Sequence, residues 1–283
     1  MGFFTSRSEI NIVSCFIRII QVSFKHRRFG FEFFPVILII CGFFGVWELY
    51  VHFSGVHPSI LPSPIRVFRE GWEFRGLIWS NTIPTITETL IGFSVSVTLA
   101  TIFAISMDFS RLFRRTLYPL LVSTQTIPLI VLAPLMIIWF GFGLTPKIIL
   151  VALITFFPIT VGWVDGFNSS EREASNLLRT MGANRSQIFF KVRLPSAMPS
   201  FFSGLRIAIT YSVIGAVFAE YAGAKSGLGI FMLQQQNAFR TDLVIAAVFI
   251  VALVSIGLFM MTYVIERLAI PWYFSTREIN RSY

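Results

Sequence analysis

The sequence predicts an all-α, polytopic membrane protein with about six transmembrane helices. Of the 283 residues, 55% are hydrophobic and only 13% are charged, and the mean hydropathy is +0.74. A soluble domain usually carries about 25% charged residues. Because the apolar residues come in runs of about 20 to 24, long enough to cross the roughly 30 Å hydrocarbon core, a soluble helical protein is disfavoured.

Six apolar runs give the predicted spans. They are Phe33–Phe53, Pro84–Met107, Leu117–Phe140, Pro146–Phe167, Phe201–Gly223 and Leu243–Ile265. The third run is the weakest, because Pro119, Pro128 and Pro134 interrupt it and free backbone carbonyls that need protein or water as partners. We therefore expect a kinked third helix that faces other helices or a pathway.

The distribution of Lys and Arg predicts the orientation. With the N-terminus inside, sixteen cations flank the inner side and six lie in outer loops, which matches the positive-inside rule. The chain then divides into a cytoplasmic or interfacial segment 1–34, a transmembrane domain 35–270 and a cytoplasmic tail 271–283. Within the first segment, Ile10–Phe24 is predicted to lie in the inner membrane interface rather than to act as a signal peptide.

Features of catalysis or nucleic-acid binding are sparse. The net charge of +9 is explained by cations that border anionic lipid, so no nucleic-acid partner is expected. The stretch Gly223–Gly227, GAKSG, lacks the P-loop spacing, because Phe218 stands where a glycine is needed and Ala224 separates Gly223 from the lysine. Three histidines and two cysteines show no metal-site spacing: His26, His52, His57, Cys15 and Cys41. We expect no catalytic residue, no metal and no cofactor in this chain, which disfavours a membrane-embedded enzyme.

Polar side chains within the spans are candidates for a pathway. Arg206 lies near the inner end of the fifth run, where it either reaches the interface, pairs with a neighbouring carbonyl or faces a pathway. Glu48, Glu88 and Glu220 lie near the outer ends of runs, where partial hydration lowers the cost of their charge. The STQT stretch at 123–126 either joins helices or lines a pathway. The pathway candidates are Gln125, Thr126, Arg206, Glu220 and Tyr221.

The polar stretch between runs four and five predicts two short cytoplasmic helices. The Ser170–Glu173 pattern S-x-x-E fits a capping box, which predicts that a helix starts there. Gly182 is expected to end this helix by adopting the left-handed conformation. Asn184 followed by Gln187 predicts the start of a second helix, and Pro195 is expected to end that helix. The arrangement resembles a DNA-reading helix-turn-helix in pattern alone, because its position between two spans leaves no room to enter a groove.

Apolar residues in this stretch exceed what so small an element can bury. They are Leu177, Leu178, Met181, Ile188 and Phe189. Either they pack on the inner ends of the spans, or some of them dock into another protein, as a helix does in a partner's groove.

One stretch carries a resemblance to a known family. Gly182, nine further residues and then Val192–Pro195 resemble the cytoplasmic loop of permease subunits of bacterial ATP-binding-cassette (ABC) importers, whose pattern is E-A-A, three residues, G, nine residues, I-x-L-P. The E-A-A positions are occupied by Asn176–Leu178 here, and the nearest Glu-Ala pair is Glu173-Ala174. The resemblance extends over about residues 35–270, and LPSPIRVF and GAKSGLGIFMLQQQNAFRTDLV look like the branch that serves taurine and other sulfonates, nitrate and hydroxymethylpyrimidine precursors of thiamine. Within that branch, STQTIP and MLQQQNAFRTD look most similar to the thiamine-precursor permeases.

The resemblance implies a mechanism and partners. The loop 168–198 would carry the coupling helix that docks on an ABC ATPase, with ATP and Mg bound in that separate chain. A second copy of the permease and an extracytoplasmic substrate-binding protein complete the implied assembly in the bacterial inner membrane, surrounded by lipid. The residues implied in coupling are Glu173, Leu177, Leu178, Met181, Gly182, Ala183, Gln187, Ile188, Phe189, Leu194 and Pro195.

The substrate prediction combines the resemblance with charge. Only Arg206, Lys225 and Arg240 are available as cations for an anion, which favours a neutral ligand. The resemblance implies that this ligand is a thiamine-precursor pyrimidine or a similar heterocycle, and otherwise a sulfonate, taurine or nitrate. The alternative to an ATP-driven importer is a secondary transporter driven by an ion gradient. Such a transporter usually has internal repeats and acidic or histidine residues at mid-membrane, and neither pattern is evident in this sequence.

Overall fold

The computed structural model describes residues 34–170 and 172–273. The predicted helix Ile10–Phe24, Cys15 and most of segments 1–34 and 271–283 lie outside the described residues. Within the described ranges the all-α class is confirmed, because every regular element is a helix and no strand is present. The helices are α1 (Phe34–Ser54), α2 (Pro64–Glu73), α3 (Arg75–Phe109), α4 (Arg111–Thr124), α5 (Leu129–Phe140), α6 (Leu144–Asn168), α7 (Arg172–Thr180), α8 (Arg185–Ile188), a π-helical turn (Phe189–Arg193), α9 (Leu194–Tyr221), α10 (Leu228–Asn237) and α11 (Thr241–Ala269).

The helix α1 belongs to a compact unit that ends at Phe53, and the other helices form a second unit that begins at Ser54. The 21 residues of α1 have a mean hydropathy of 2.0 in their most apolar window. At a rise of 1.5 Å per residue, this helix is about 31 Å long, which matches the hydrocarbon core. Its aromatic side chains pack along one side, where the rings of Phe44 and Trp47 stack with centroids 6.1 Å apart.

Among the described residues, five helical stretches are long and apolar enough to cross a membrane. They are α1, α3, α6, the continuous stretch Arg185–Tyr221 and α11. The expected third span Leu117–Phe140 is not one helix, because α4 ends at Thr124 and α5 begins at Leu129. Pro128 explains the break, since a proline disfavours helical backbone at the residue before it and cannot donate to the preceding turn. The 12 residues of α5 span only about 18 Å, too short to cross the core alone.

The second unit is built around α6, which packs against α3 on one side and α9 on another. Gly162 and Gly166 of α6 meet Gly204 and Ala197 of α9, where a Cβ on Gly162 would lie 3.2 Å from the Cα of Gly204. Small residues at facing positions let two helix backbones approach closely, as is typical of packing within membranes. Trp163 fills the space beside this contact.

Aromatic stacking reinforces the α6–α9 contact. The ring of Trp163 stacks on Phe201 with centroids 4.1 Å apart and on Phe167 at 5.4 Å. The indole N–H of Trp163 donates to the Thr101 hydroxyl of α3 at 3.0 Å, so the same side chain joins all three central helices. Its indole group is therefore both buried and hydrogen-bonded, which is what a tryptophan in a core requires.

The directions of the central helices follow from side-chain contacts at their ends. Arg193, just before α9, contacts Asp108 at the end of α3 and the Phe167 carbonyl at the end of α6. Glu220, at the end of α9, contacts Thr85 near the start of α3. Therefore α3 and α6 run in the same direction and α9 runs opposite to them. We refer below to the Arg193 end and the Glu220 end of this unit.

The α6–α9 contact generates a prediction for stability. A Cβ on Gly204 would lie 2.5 Å from the Pro158 carbonyl oxygen, a backbone atom that cannot rotate away. We expect Gly204→Ala to lower the free energy of unfolding by about 1–3 kcal/mol through overpacking. The measurement is equilibrium unfolding of the purified chain in detergent.

Gly257→Ala is the matched control, because Gly257 also lies inside a helix and has no atom within 4 Å of its added Cβ. The control should be neutral or slightly stabilising, since alanine is the better helix former. Equal stability of the two variants would contradict the close α6–α9 contact.

Candidate functional site

The segment 169–193 connects α6 to α9 and contains the stretch predicted to form two short helices. The first of these, α7, ends in a Schellman motif. Gly182 has φ +85°, the Gly182 N–H donates to the Arg179 carbonyl at 3.0 Å, and the Ala183 N–H donates to the Leu178 carbonyl at 3.0 Å. The predicted left-handed stop at Gly182 is confirmed, because glycine adopts this conformation without a steric cost.

The second helix begins at the predicted cap. The Asn184 side chain accepts from the Gln187 N–H and the Gln187 side chain accepts from the Asn184 N–H, both at 2.8 Å. The first helix, α7, is described from Arg172 onward, and the Ser170 hydroxyl donates to the Phe167 carbonyl at 2.9 Å. The predicted capping box includes Glu171, which lies outside the described residues. The turn between α7 and α8 is thus fixed by local hydrogen bonds on both sides.

The prediction that Pro195 ends the second helix is wrong. The backbone stays helical from Arg185 to Tyr221, a stretch of 37 residues. The helix widens to a π-helical turn at Phe189–Arg193, where the Leu194 N–H donates to the Phe189 carbonyl. Pro195 follows at the start of α9, where its missing N–H costs little because the hydrogen-bond ladder has already shifted by one residue. The segment is therefore continuous with a membrane-spanning helix.

The apolar residues of the segment divide into a buried and an exposed group. Ile188 and Phe189 are buried, and Phe189 packs on Phe167 with ring centroids 5.6 Å apart. Leu177 and Met181 are 63% and 74% exposed, respectively, on the α7 side of the turn. The structure therefore confirms that α8 packs on the helix ends, and it shows that α7 presents an apolar surface.

The other residues implied in coupling are either exposed or half-buried. Glu173, Gly182 and Gln187 are exposed, while Leu178, Ala183, Leu194 and Pro195 are half-buried. The exposed members share the α7–α8 turn with Leu177 and Met181. The half-buried members support that turn against the rest of the unit.

An ion pair that sequence reasoning missed holds the segment to the central helices. The Arg193 guanidinium donates to the Asp108 carboxylate at 2.7 Å and to the Phe167 carbonyl at 3.2 Å. Asp108 lies in the last turn of α3 and is largely buried. The signal in the sequence is a single acidic residue at the end of a long apolar run, which needs a cationic partner if it is not in water.

Arg206 pairs with a carboxylate rather than with a carbonyl. Its guanidinium donates to Glu266 of α11 at 2.7 Å and to the Ser203 hydroxyl at 3.3 Å. The sequence ended the sixth run at Ile265, one residue before this partner, because hydropathy alone does not show that α11 continues to Ala269. The pair joins α9 to α11.

Gln125 and Thr126 lie exposed in the break between α4 and α5. The Thr126 hydroxyl donates to the Ser123 carbonyl at 2.8 Å, and the Gln125 amide donates to the Thr124 hydroxyl at 3.4 Å. Tyr221 is exposed at the end of α9. The described contacts do not join Gln125 or Thr126 to Arg206, Glu220 or Tyr221, so the pathway candidates form separate positions rather than one cluster.

The expectation that Glu88 and Glu220 are partly hydrated is wrong. Both carboxyl groups are buried among the helices, at 1% and 0% exposure. Glu220 accepts from the Thr85 hydroxyl at 2.6 Å, and Glu88 accepts from the Lys147 ammonium group. Lys147 lies in the first turn of α6, so α3 and α6 meet through an ion pair.

A second ionic network joins α2 to the start of α11 at the Glu220 end. The Arg240 guanidinium donates to Glu70 at 2.6 Å and to Asp242 at 3.1 Å, and Arg66 donates to Asp242 at 3.1 Å. The Arg240 guanidinium also lies 4.9 Å from the centroid of the Phe74 ring. These contacts tie α2 to the start of α11. In the part of the chain that the structure describes, no group of three His, Cys, Asp or Glu side chains is arranged to hold a metal.

Comparison with known proteins gives the family. A family model described as binding-protein-dependent transport system inner membrane component matches residues 96–271. The chain is 37% identical over 228 residues to the formylaminopyrimidine transport permease protein ThiX of Halalkalibacterium halodurans, covering 80% of this chain and 91% of that protein. It is 35% identical to the riboflavin transport system permease protein RibX of Chloroflexus aurantiacus, covering 84% and 89%.

A solved structure supports the fold. The crystal structure of an amino acid ABC transporter with histidines matches with a TM-score of 0.58 and 15% identity, over 72% of this chain and 97% of that chain. The binding-protein-dependent character of the matched family argues against the alternative of a transporter driven by an ion gradient. Since the family model covers more than half of the sequence, the chain belongs to the family of binding-protein-dependent transport system inner membrane components, and it is the permease subunit of an ABC importer.

Proposed function

We propose that this permease imports a neutral heterocycle, with a thiamine-precursor pyrimidine as the first candidate. The observation that carries this proposal is that two of the three cations named above for an anion, Arg206 and Arg240, are paired, as is Lys147 within the bundle. Arg206 is bound to Glu266, Arg240 to Glu70 and Asp242, and Lys147 to Glu88. A cation already neutralised by a carboxylate attracts an anionic substrate weakly, because the field of the pair falls off faster than that of a single charge.

The relatives support the same substrate class. The formylaminopyrimidine and riboflavin permeases are 37% and 35% identical to this chain, while the taurine permease TauC of Escherichia coli is 29% identical. Both of the more similar relatives carry names that refer to nitrogen heterocycles. Sulfonate, taurine or nitrate transport is the second candidate.

We further propose the assembly and its orientation. Two copies of the chain would enclose the transport path, with an ABC ATPase docked on each 169–193 segment and a substrate-binding protein at the Glu220 end. The N- and C-termini would be cytoplasmic, because the inner side then holds sixteen of the Lys and Arg residues. ATP and Mg would be bound by the ATPase chains, and lipid would surround the exposed apolar faces of α1, α3 and α11.

The proposed docking surface is the exposed face of the α7–α8 turn. Leu177 and Met181 point away from the unit, whereas Ile188 and Phe189 anchor the same turn in the core. A cleft in the ATPase would bury the exposed pair, and the anchored pair would carry the resulting force. Glu173 and Gln187 would contribute polar contacts at the edge of this surface.

Transmission from the docking surface would pass through α9. The stretch Arg185–Tyr221 is one continuous helix, and Arg193 ties its first turns to Asp108 and Phe167. Leu194 and Pro195 sit where the π-helical turn joins α9, a position at which a small change of backbone hydrogen bonding alters the direction of the helix. Displacement of the turn would therefore tilt α9 rather than bend a flexible loop.

The pathway candidates take different parts in this proposal. Gln125, Thr126 and Tyr221 are exposed and would line the path, where amide and hydroxyl groups supply both donors and acceptors to a heterocycle. Arg206 would border the path while paired with Glu266. Glu220 is buried and would act on the helices around it rather than on the substrate.

The substrate proposal is tested by ligand-stimulated ATP hydrolysis. The purified chain is reconstituted in proteoliposomes with its ATPase and its binding protein, and hydroxymethylpyrimidine, formylaminopyrimidine, taurine or nitrate is added. We expect a pyrimidine to raise hydrolysis and the two anions to leave it unchanged. Stimulation by taurine or nitrate alone would contradict the neutral heterocycle, and absence of any response to all four ligands would contradict the whole substrate proposal.

The turn at Gly182 generates a prediction for coupling. Gly182→Ala places a side chain at φ +85°, which costs about 1–2 kcal/mol and distorts the docking turn. We expect ligand to stimulate ATP hydrolysis several-fold less in this variant than in the unmodified chain. Gly55→Ala is the matched control, because Gly55 also has a positive φ, +61°, and open space around its Cβ, but lies outside the segment. Equal loss of stimulation in both variants would indicate general strain rather than coupling.

The exposed face of α7 generates a prediction for assembly. Burial of a Leu or Met side chain contributes about 1.5–3 kcal/mol, so the double variant Leu177→Ser, Met181→Ser should bind the ATPase at least about tenfold more weakly. The measurement is the dissociation constant of the permease–ATPase complex in detergent. Phe68→Ser is the control, since Phe68 is 75% exposed on α2 at the Glu220 end. Unchanged affinity in the double variant would rule out this docking surface.

A further inference from the structure

A buried polar cluster joins four helices at the Glu220 end. We call Thr85, Glu88, Lys147 and Glu220, with the Gly229 N–H, the Glu88–Glu220 cluster. Glu220 accepts from the Thr85 hydroxyl at 2.6 Å and from the Gly229 N–H at 2.5 Å. Glu88 accepts from the Lys147 ammonium group through one carboxyl oxygen. The side chains come from α3, α6 and α9, and the backbone amide comes from α10.

The cluster also completes the start of α10. The first amides of a helix have no partner within it. Here the Gly227 N–H donates to the Asn81 side chain at 3.0 Å and the Leu228 N–H donates to the Thr85 hydroxyl at 2.9 Å. A Cβ on Gly227 would collide with the Glu220 carboxyl group, so glycine is needed for this close approach. Glu220 is thus the acidic group that holds the beginning of α10 in place.

The charges in the cluster do not balance if both carboxyl groups are ionised. Glu88 lies three residues after Thr85, so it shares the α3 face on which Thr85 contacts Glu220, and Lys147 is the cation that pairs with Glu88. No ionisable side chain comes from α5 or α10, the other helices at this site, and Lys225 in the following loop is exposed. Two carboxylates and one ammonium group leave one negative charge, which is costly inside a membrane span.

One carboxyl oxygen in the cluster lacks a hydrogen-bond donor. The second carboxyl oxygen of Glu88 is buried and accepts no hydrogen bond. An ionised carboxylate only accepts hydrogen bonds, whereas a protonated carboxyl group also donates one. A single proton placed between the two carboxyl groups therefore supplies the missing donor and removes the excess negative charge.

We propose that Glu88 and Glu220 form a proton-binding site, in which the two carboxyl groups share one bound proton beside Lys147. Two carboxyl groups in contact do not both ionise readily, because each negative charge disfavours the other. A cavity of about 10 Å³ borders Lys147 and Gly223, and a cavity of this size accommodates about one water molecule. A water molecule in this cavity would lie beside Lys147, and the site does not depend on which substrate the permease carries.

Infrared spectroscopy of the full chain tests the proposal. The chain is purified at neutral pH in a detergent without ester groups, with and without ¹³C-labelled glutamate, so that the carbonyl band of a protonated glutamic acid is separated from aspartate and lipid. We expect a band from one protonated glutamic acid per chain. Glu88→Gln and Glu220→Gln should each abolish it, since the remaining carboxylate pairs with Lys147. Glu73→Gln, at an exposed position of α2, should leave it unchanged.

A further variant keeps the test decisive if the glutamine variants do not fold. Lys147→Met removes the cation, so both carboxyl groups should take up a proton and the band should roughly double. Absence of the band in the unmodified chain, or its persistence in both glutamine variants, would overturn the proposal. Because the unmodified chain is measured directly, the first of these outcomes needs no variant.

Discussion

A carboxylate inside a membrane-spanning bundle either pairs with an opposite charge or is neutralised by a proton. This requirement determines which helices of this permease lie together. Of the ion pairs among the described residues, three join the long helices of the bundle to one another: Glu88 with Lys147, Asp108 with Arg193, and Arg206 with Glu266. They connect α3 to α6, α3 to the start of α9, and α9 to α11. A buried ion pair adds little net stability because desolvation offsets its attraction, but a wrong register would leave two charges unpaired. The pairs therefore specify the arrangement of helices that the small-residue contact between α6 and α9 holds closely packed.

The two ends of α9 carry different kinds of contact, and this difference suits a helix that transmits motion. At 28 residues, α9 is about 42 Å long, so it connects the Arg193 end with the Glu220 end of the unit. At one end, Arg193 and the aromatic core hold the helix to its neighbours. At the other end, Glu220 holds the first amides of α10 together with Thr85. A tilt of α9, as proposed above, would change the contacts at both ends at once and would couple the two ends without a separate hinge.

Local features of the segment 169–193 could be predicted from the sequence because each depends on a few neighbouring residues. The Gly182 stop and the Asn184 cap are hydrogen-bonding patterns within five residues, and the structure contains both. The break at Pro128 was visible as a weakness of the third run, although the sequence did not show that the helix would separate into two. The prediction at Pro195 was wrong because a proline usually ends a helix. Here the backbone hydrogen bonds have already shifted by one residue in the π-helical turn before it, and such a turn leaves no clear signal in the sequence.

The partners of buried charges could not be predicted, because they depend on which helix faces are in contact. Glu88 and Glu220 lie near the ends of apolar runs, a position that usually brings a carboxylate close to water. Here α6 and α10 cover that position, so burial follows from packing rather than from depth along the helix. Hydropathy gives the depth of a residue but not its neighbours, and a short apolar helix such as α10 changes the surroundings of a carboxylate completely. A charged residue near the end of a span is therefore better interpreted after the covering helix is known. Without the covering helix the side chain is hydrated, whereas a side chain buried under that helix needs a partner.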